Sequence, residues 1–418
     1  MEKEFWLWLN PETFIWKNSD EALVFNSGKG NGFLIPLSQV LSSLIERLIN
    51  PEQMYCSEVI PVEVRDRLTG AFIDKVVKTG SGGICERVEG NPKPVVMFPK
   101  LNIQRSVERQ SKISGSYRDD KIMLDLFDMT ICFNGIGDKK RGGWNRQFIY
   151  PPVTNESLVS TILLKQLEAV SGSNGLRSVN LLASDFSGIE SIIEIVDSLS
   201  RLNSTRTIWC RMADLKEQSA KVISRLCKGS FGLNIIVDPV ADSEDSRRSV
   251  DDLICDFPEA TWRFIISGES DYDMAAGIVE GLGSPVEALF VPLYTGGNLE
   301  FFIEHVFIRP ADLLESGLTK REVFAHQAVN TFDFGKVSLM PDGRYYANLN
   351  HPPIGTLDES LKEVLHRELF SGKSWRRIRD EKPCTECLYR WLCPSPSGYE
   401  LVIGRPDLCL IGEMMKPV

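Results

Sequence analysis

The middle of the chain alternates strand-like apolar runs with helix-like segments. The runs are rich in β-branched and aromatic residues, and segments with helical spacing follow them. The last five runs start near Ser178, Arg206, Gly232, Trp262 and Val286, at intervals of 28, 26, 30 and 24 residues. This period is typical of βα units, whose crossovers favour a parallel sheet. Six such runs are present: DMTICFN, SVNLLAS, RTIWCRM, GLNIIVD, WRFIISG and VEALFVPLY.

Six units are too few for a closed eight-stranded barrel. Residues 120–310 are therefore predicted to form an α/β domain, a partial (β/α)6 barrel of the TIM type. Catalytic groups of such a domain lie at the C-terminal ends of its strands.

The first 110 residues predict a smaller α+β domain. The runs FWLWL, TFIWK and EALVF alternate with turn residues and predict strands, and residues 32–35 predict a fourth. Helical spacing predicts one helix over 37–49 and another over 61–78, with glycine-rich breaks at 80–83 and 90–94. A small sheet followed by helices is typical of a winged-helix-like domain, assigned to residues 1–110. Such a domain can accept an extended peptide by strand addition.

The remaining range, 311–418, predicts a hairpin, a short helix and a cysteine-rich tail. Pro341, Asp342 and Gly343 supply the turn chemistry of a β-hairpin over 335–350. Residues 360–370 have the apolar spacing of an amphipathic helix.

Composition narrows the possible functions. The 418 residues include 47 Lys and Arg against 57 Asp and Glu, a net charge of -10 that argues against nucleic-acid binding. The apolar fraction of 43% excludes wholesale disorder. The chain contains no uninterrupted run of about 18 apolar residues, so no membrane-spanning helix is predicted. The acidic N-terminus lacks a signal core, so the protein is expected to be cytoplasmic.

The ten cysteines divide into two groups. Cys384, Cys387 and Cys393 follow a C-x2-C-x5-C spacing, and Cys409 comes later in the same tail. Four thiolates complete a tetrahedral or cubane metal site, so zinc and iron–sulfur both fit, with four unrelated reduced thiols as the alternative. The other six lie singly, and those in apolar runs are predicted to be small core residues: Cys56, Cys85, Cys132, Cys210, Cys227 and Cys255.

The order of these features resembles a radical-SAM enzyme with a C-terminal SPASM domain. Six βα units lead to a hairpin and then to the C-x2-C-x5-C motif. The N-terminal region is similar to PqqD-like recognition domains, which bind leader peptides of ribosomally made, modified peptides. The resemblance implies that the sheet edge and the helix 61–78 form the leader-peptide groove.

The chain departs from this family where S-adenosylmethionine binds. Family members carry C-x3-C-x2-C in the loop after the first barrel strand. Here that loop, residues 135–152, contains no cysteine, and the spacing occurs nowhere in the chain. The family's Gly-Gly-Glu run after the second strand is replaced by Ala183, Ser184 and Asp185. The resemblance therefore implies a pseudoenzyme, with no bound S-adenosylmethionine expected.

The SPASM part is also reduced. The resemblance places ligands of a first auxiliary cluster at Asn348, at Ser397 and in the segment AVNTFDFG, none of which holds a cysteine. The ligands of the second cluster map onto Cys384, Cys387, Cys393 and Cys409. One four-iron four-sulfur cluster is therefore expected, with zinc as the alternative and either a structural or an electron-transfer role.

Two basic segments have two interpretations each. Lys139, Lys140, Arg141 and Arg146 lie beside Trp144 in a loop predicted to be solvated, with docking of an acidic partner as the alternative. The run SWRRIRDEK, just before the cysteines, is predicted to be a solvated face, with contact to sulfide or a partner as the alternative. The four histidines are too widely spaced for a local metal motif.

Together these features favour a catalytically inactive partner in peptide maturation. The N-terminal domain is expected to bind the leader of a precursor peptide, while the rest forms a heterodimer with a true radical-SAM maturase. The rival hypothesis is a redox protein whose single cluster relays electrons or acts directly on a peptide. A third is a structural protein with no peptide ligand. Neither nucleic acid nor a membrane is an expected partner.

Overall fold

A computed structural model describes residues 4–88, 90, 92–100, 125–159, 162–164, 166–167, 175–189, 192–238, 253–254, 256–281 and 286–411. The chain forms a mixed α/β structure with one large, mainly parallel sheet and two smaller antiparallel sheets. No helix within these ranges is long and apolar enough to span a membrane.

The N-terminal strands form the two small sheets. The predicted strands are confirmed as β1 (Phe5–Leu9), β2 (Thr13–Lys17), β3 (Glu21–Asn26) and β4 (Asn31–Pro36). Strands β2, β3 and β4 pair in that order, while β1 lies between β5 (Cys56–Val59) and β6 (Gly82–Glu86).

Strand β6 corrects the predicted break at 80–83, because it begins at Gly82. A Cβ atom at Gly82 would lie 2.1 Å from the Trp8 carbonyl oxygen, and one at Gly83 would lie 2.6 Å from the Trp8 ring. These glycines therefore allow close approach of β6 to β1, a role that a strand glycine can have instead of ending the strand.

Three helices follow, and they correct a second prediction. Helix α1 (Gln39–Ile49) matches the first predicted helix, whereas the predicted helix 61–78 is divided into α2 (Pro61–Arg65) and α3 (Arg67–Lys78). Asp66 between them has an extended backbone, and its carboxylate accepts hydrogen bonds from the backbone N–H of Thr69 and from the Ser38 hydroxyl. It therefore starts a new helix as an N-cap.

The large sheet contains the six predicted strands in sequential, parallel order. They are β7 (Asp128–Cys132), β8 (Ser178–Leu182), β9 (Thr205–Arg211), β10 (Gly232–Val237), β11 (Thr261–Ile266) and β12 (Glu287–Pro292). Within the described ranges, the helices with defined bounds that follow these strands are α4 (Ile192–Ser200), α5 (Glu217–Lys228), α6 (Glu269–Gly281) and α7 (Leu299–His305). Closure into a partial barrel stays a prediction, as does the division into 1–110, 120–310 and 311–418.

The hairpin extends the same sheet. Strand β13 (Lys336–Leu339) pairs in parallel with β7, and β14 (Arg344–Tyr346) and β15 (Gly355–Thr356) continue to the edge. The remaining helices are α8 (Pro310–Leu314), α9 (Lys320–His326), α10 (Leu361–Ser371) and α11 (Gly398–Ile403). Helix α10 matches the predicted helix 360–370.

The two faces of the large sheet differ in chemistry. The outer face, which carries Ile208, Ile235 and Phe264, belongs to the main apolar core. The inner face carries polar side chains toward the start of the strands: Trp209 Nε1 donates to Asn180 Oδ1 at 2.9 Å, and Asn180 Nδ2 donates to Asp128 at 3.1 Å. Buried polar groups of this kind need such partners.

Candidate metal centre and the carboxyl edge of the sheet

The structure brings the four tail cysteines together, and we call them the thiol cluster. Cys384 starts a 3₁₀ turn, and the N–H of Cys387 donates to the Cys384 carbonyl at 3.2 Å. The N–H of Cys393 donates to the Tyr389 carbonyl at 2.9 Å. Cys409 lies in a parallel bridge with Ile308, which attaches the end of the chain to this site.

The pKa values of the thiols show that they interact. Burial raises the pKa of Cys393 to about 12, Arg379 opposes this rise, and the other three thiols of the cluster add to it. Burial likewise raises the pKa of Cys409 to about 11. These thiols are protonated at neutral pH when no cation is bound, so metal binding must release protons.

Several donors are already directed at the sulfur atoms. The Arg379 guanidinium donates to Cys384 Sγ at 3.9 Å. Burial raises the pKa of Cys387, whereas donation to its sulfur from the N–H groups of Tyr389 and Arg390 opposes the rise. The Ile411 N–H makes the same contact with Cys409. Donors around sulfur stabilise thiolate ligands, so the cluster residues fit a metal site.

The spacing of the sulfur atoms bears on the kind of metal. Among the described residues, no three of these four atoms lie all within 4.8 Å of one another. A tetrahedral zinc ion with four Zn–S bonds would hold its sulfur atoms about 3.8 Å apart. A four-iron cluster binds each thiolate at a different iron, so its ligands lie farther apart. Both groups use thiolate ligands, so zinc stays the alternative to an iron–sulfur cluster.

The thiol cluster shares a core with the N-terminal sheet. Along β3, Leu23 and Phe25 pack with Leu392 and Cys393. The intervening Val24 packs with the helices α1 and α3 on the other side of the sheet. Because the side chains of a strand alternate between its faces, the sheet β2–β3–β4 connects the thiol cluster to these helices.

The scattered cysteines lie elsewhere. Cys132 and Cys210 are fully buried in strands β7 and β9, and burial raises the pKa of both thiols. Cys56 is buried in β5, Cys85 and Cys227 are half-buried, and Cys255 lies outside the described residues. The buried positions agree with a packing role.

The cysteine-free loop after β7, residues 135–152, packs against the carboxyl ends of the parallel strands. Tyr150 is 1% exposed, with its ring centroid 5.2 Å from that of Trp144 and 6.0 Å from that of Phe148. Tyr150 and Ile136 form one apolar cluster with inner-face residues of the strands: Cys132, Leu182, Trp209, Ile236 and Ile265. Side chains of this loop therefore fill part of the edge where a barrel enzyme places its reactive groups.

Polar contacts fix this loop to three strand ends. Arg141, which was predicted to be solvated, forms an ion pair of 2.7 Å with Asp238 after β10. The Gln147 side chain donates to the Tyr294 carbonyl at 2.9 Å and accepts from the Tyr294 N–H at 2.8 Å, after β12. The Arg211 guanidinium at the end of β9 lies 5.9 Å from the Tyr150 ring centroid.

A polar cavity of about 650 Å³ lies beside this loop. Ser184 and Asp185, where the resemblance expects Gly-Gly-Glu, line it together with Arg211 and Asp214. The Ser184 N–H and hydroxyl both donate to Asn134 Oδ1, at 2.8 and 2.9 Å, so this side chain is already bonded to the loop after β7.

A second cavity, of about 390 Å³, contains two of the positions where the first auxiliary cluster is expected to be lost. Asn348 and Ser397 both line it, together with Asp333 of the AVNTFDFG segment. Asn348 Nδ2 donates to both carboxylate oxygens of Asp333, at 3.0 and 3.1 Å, while Ser397 caps α11. Both side chains therefore take part in local hydrogen bonds.

Asp333 gives a pH-dependent prediction. Burial raises its pKa to about 6, against the opposing effects of Asn348, Arg377 and Lys336. The folded protein therefore holds a proton that the unfolded chain releases near pH 4, and stability falls as pH rises from about 4 to 6. Asp333→Asn is expected to remove this dependence and to raise the free energy of unfolding at pH 8 by roughly 1–3 kcal/mol.

Urea unfolding at pH 4.5, 6 and 8 measures this effect. The exposed Asp74→Asn is the matched control and is expected to change the free energy of unfolding by less than about 0.5 kcal/mol. Equal destabilisation of Asp333→Asn at all three pH values would contradict a buried carboxyl with a raised pKa.

Two arginines before the tail cysteines are more buried than the leading sequence prediction expects. The run SWRRIRDEK was predicted to be a solvated face, yet Arg379 is 5% exposed and forms an ion pair of 2.9 Å with Glu400. The side chain of Arg377 is also largely covered, and it donates to the carbonyls of Pro396 and Ser397. The alternative interpretation, contact of this run with the sulfur atoms, agrees with the position of Arg379 beside Cys384.

Comparison with known proteins returned structural likenesses only. No family model and no curated protein matches the chain. A crystal structure of Streptococcus suis SuiB bound to S-adenosylmethionine aligns with a TM-score of 0.45 at 9% identity, covering 95% of this chain and 97% of that chain. A second SuiB structure gives 0.42 at 10% identity, covering 96% and 98%.

Proposed function

We propose that the protein is a catalytically inactive radical-SAM homologue that binds a precursor peptide by its leader and presents it to a true radical-SAM maturase. The observation that carries the proposal is the contrast between two sites. Four thiols with directed donors gather in the tail, while the cysteine-free loop 135–152 lays aromatic side chains on the carboxyl edge of the sheet.

Leader binding is assigned to the groove between β4 and α3. The Leu34 carbonyl points away from β3 and accepts a hydrogen bond of 3.2 Å from Lys75 of α3. The Lys75 ammonium also lies 5.3 Å from the Phe33 ring centroid, and Phe33 packs against Phe72. An outward carbonyl on an edge strand beside a helix is the arrangement that strand addition uses.

The mechanism is an increase in effective concentration. Once the leader is held, the encounter between the core peptide and the partner's active site becomes intramolecular. The scaffold must then hold the groove and the partner-binding surface in one geometry. The shared core of β3 and the thiol cluster supplies a packed connection between the groove sheet and the tail.

Cys384, Cys387, Cys393 and Cys409 would hold one iron–sulfur cluster, with zinc as the alternative. A bound metal centre supplies a cross-link, and an iron–sulfur centre also supplies one-electron chemistry. The protein's own residues orient the sulfur atoms and bring donors to them, and the binding free energy then adds to that of folding.

Electron relay to the partner is a second candidate, favoured by one observation. Cys384 lines an open cavity of about 340 Å³ whose wall includes Arg377, Lys382 and Arg405. This cavity would allow a partner to approach one ligand of the metal centre, as an electron-transfer contact requires.

Binding measurements test the leading proposal. The full chain is expected to co-purify with a radical-SAM maturase, to bind its precursor peptide in calorimetry, and to cleave no S-adenosylmethionine. Lys75→Glu should weaken peptide binding, because it removes the contacts with Leu34 and Phe33 that join α3 to β4 along the groove. Lys221→Glu on α5 is the matched control. Failure to bind either the precursor or the maturase, or cleavage of S-adenosylmethionine by the isolated chain, would sink the proposal.

A further inference from the structure

Strand β12 ends the large sheet with an open edge. It pairs with β11 on one side, and no described strand pairs with its other side. The opposite end of the sheet is β15, which has only two residues. A strand of six residues with a free edge presents a row of N–H and C=O groups that another strand can pair with.

Both faces of this edge are apolar and exposed. Leu289, on the inner face, and Phe290, on the outer face, are each 40% exposed. Tyr272 of α6 extends the outer patch, with its ring centroid 5.1 Å from that of Phe290. The strand carries one charge, Glu287, and none of the lysines that commonly protect sheet edges.

The stretch of chain that forms this edge is acidic, and the nearest cation on the sheet is Arg263 of β11, which pairs in register with Leu289. Between Arg263 and Arg309 the chain contains no lysine or arginine. The same stretch contains seven acidic residues, which lie on α6, β12 and α7: Glu269, Asp271, Asp273, Glu280, Glu287, Glu300 and Glu304.

We propose that the outer edge of β12 binds an extended segment of a partner polypeptide that carries lysine or arginine beside apolar residues. Backbone pairing supplies hydrogen-bond partners for the N–H and C=O groups of the β12 edge, and apolar side chains of the partner cover Leu289 and Phe290. Its basic side chains pair with the acidic rim, the acidic residues of α6, β12 and α7. A second copy of this chain is disfavoured, because edge pairing would bring two acidic rims together. The surface is separate from the groove between β4 and α3 and does not depend on the metal centre.

Binding of defined peptides to the full chain tests this proposal. The probes are fluorescein-labelled peptides of alternating lysine and valine, and of alternating glutamate and valine, followed by anisotropy at 50 and 300 mM salt. The basic peptide is expected to bind, with an affinity that falls at least tenfold at the higher salt, and the acidic peptide is not.

Variants locate the binding site. Asp273→Lys with Glu287→Lys is expected to weaken binding of the basic peptide at least tenfold. Glu194→Lys with Glu217→Lys, on α4 and α5, changes the net charge equally and is expected to leave binding within twofold. Leu289→Glu should also weaken binding, and circular dichroism of each variant shows whether it folds.

Three results would overturn the proposal. The first is an absence of binding by the basic peptide, and the second is equal weakening by the two charge-reversed pairs. The third is a concentration-dependent dimer of the wild-type chain that Leu289→Glu abolishes, because it assigns the edge to a second copy.

Discussion

Replacing Cys393 with serine is expected to remove the metal and to destabilise the tail. Cys393 is a buried thiol of the cluster, and its pKa reflects all three neighbours. Serine does not supply a thiolate, so the loss of affinity should exceed the 10–100-fold that is typical of changes around a metal's ligands. Because metal binding contributes to folding free energy, the tail should then unfold at a lower temperature.

Metal analysis and thermal unfolding of anaerobically reconstituted protein measure both effects. Cys227→Ser is the control, since Cys227 is a half-buried thiol of α5 outside the cluster. It is expected to keep the full metal content. Unchanged metal content in Cys393→Ser would show that the four thiols do not form a metal site.

The same variant should also weaken leader-peptide binding. Cys393 packs in the core that contains Leu23 and Phe25 of β3, and β3 pairs with the groove strand β4. Disorder of the tail would then loosen β3, and through β3 it would disturb the groove strand β4. Unchanged peptide affinity in a metal-free Cys393→Ser protein would show that the thiol cluster and the leader-peptide groove are not coupled.

Much of the fold could be predicted because buried strands have a strong sequence signal. Runs such as GLNIIVD are apolar on both faces, since one face meets helices and the other meets the inner cluster. The sequence of β3 also predicted a strand. It did not predict that Leu23 and Val24 would pack in two different cores.

The predictions that failed depended on non-local contacts. A helical pattern runs through 61–78, yet Asp66 binds Ser38 from a distant part of the chain and starts a new helix. Gly82 continues a strand only because Trp8 of β1 lies against it. The pairing of β13 with β7 joins segments about 200 residues apart, which local propensity does not specify.

The candidate site was predicted in part for the same reason. The spacing of the four cysteines is local information, so their grouping could be expected. Arg379 is charged and lies in a basic run, so its burial against Cys384 and Glu400 could not be read from its neighbours. Burial of a charge becomes tolerable only through partners that the fold brings together.

The buried pair formed by Arg379 and Glu400 gives the second large effect. Both side chains are 4% exposed, and the guanidinium also donates to the Pro394 carbonyl at 2.6 Å. Glu400→Gln removes the carboxylate that pairs with the cation, and Arg379→Met leaves the carboxylate with its hydrogen bonds from Ser397 but without its cation. Each is expected to cost about 3–5 kcal/mol, because an unpaired charge stays in a dry site.

The double variant separates this pairing from simple loss of packing. Arg379→Met with Glu400→Gln removes both charges, so its free energy of unfolding should lie well above the value expected from adding the two single changes. Urea unfolding of the four proteins in one metal state gives this coupling. Additive effects would show that the two groups act independently.

The two single variants should also move the reduction potential of a bound iron–sulfur centre in opposite directions. Reduction of such a centre would add negative charge beside Cys384, so loss of the Arg379 cation would disfavour reduction and lower the potential. Loss of the Glu400 carboxylate leaves that cation uncompensated and raises the potential. A redox titration followed by visible absorption measures both shifts, and shifts of the same sign would indicate distortion of the site instead of an electrostatic effect.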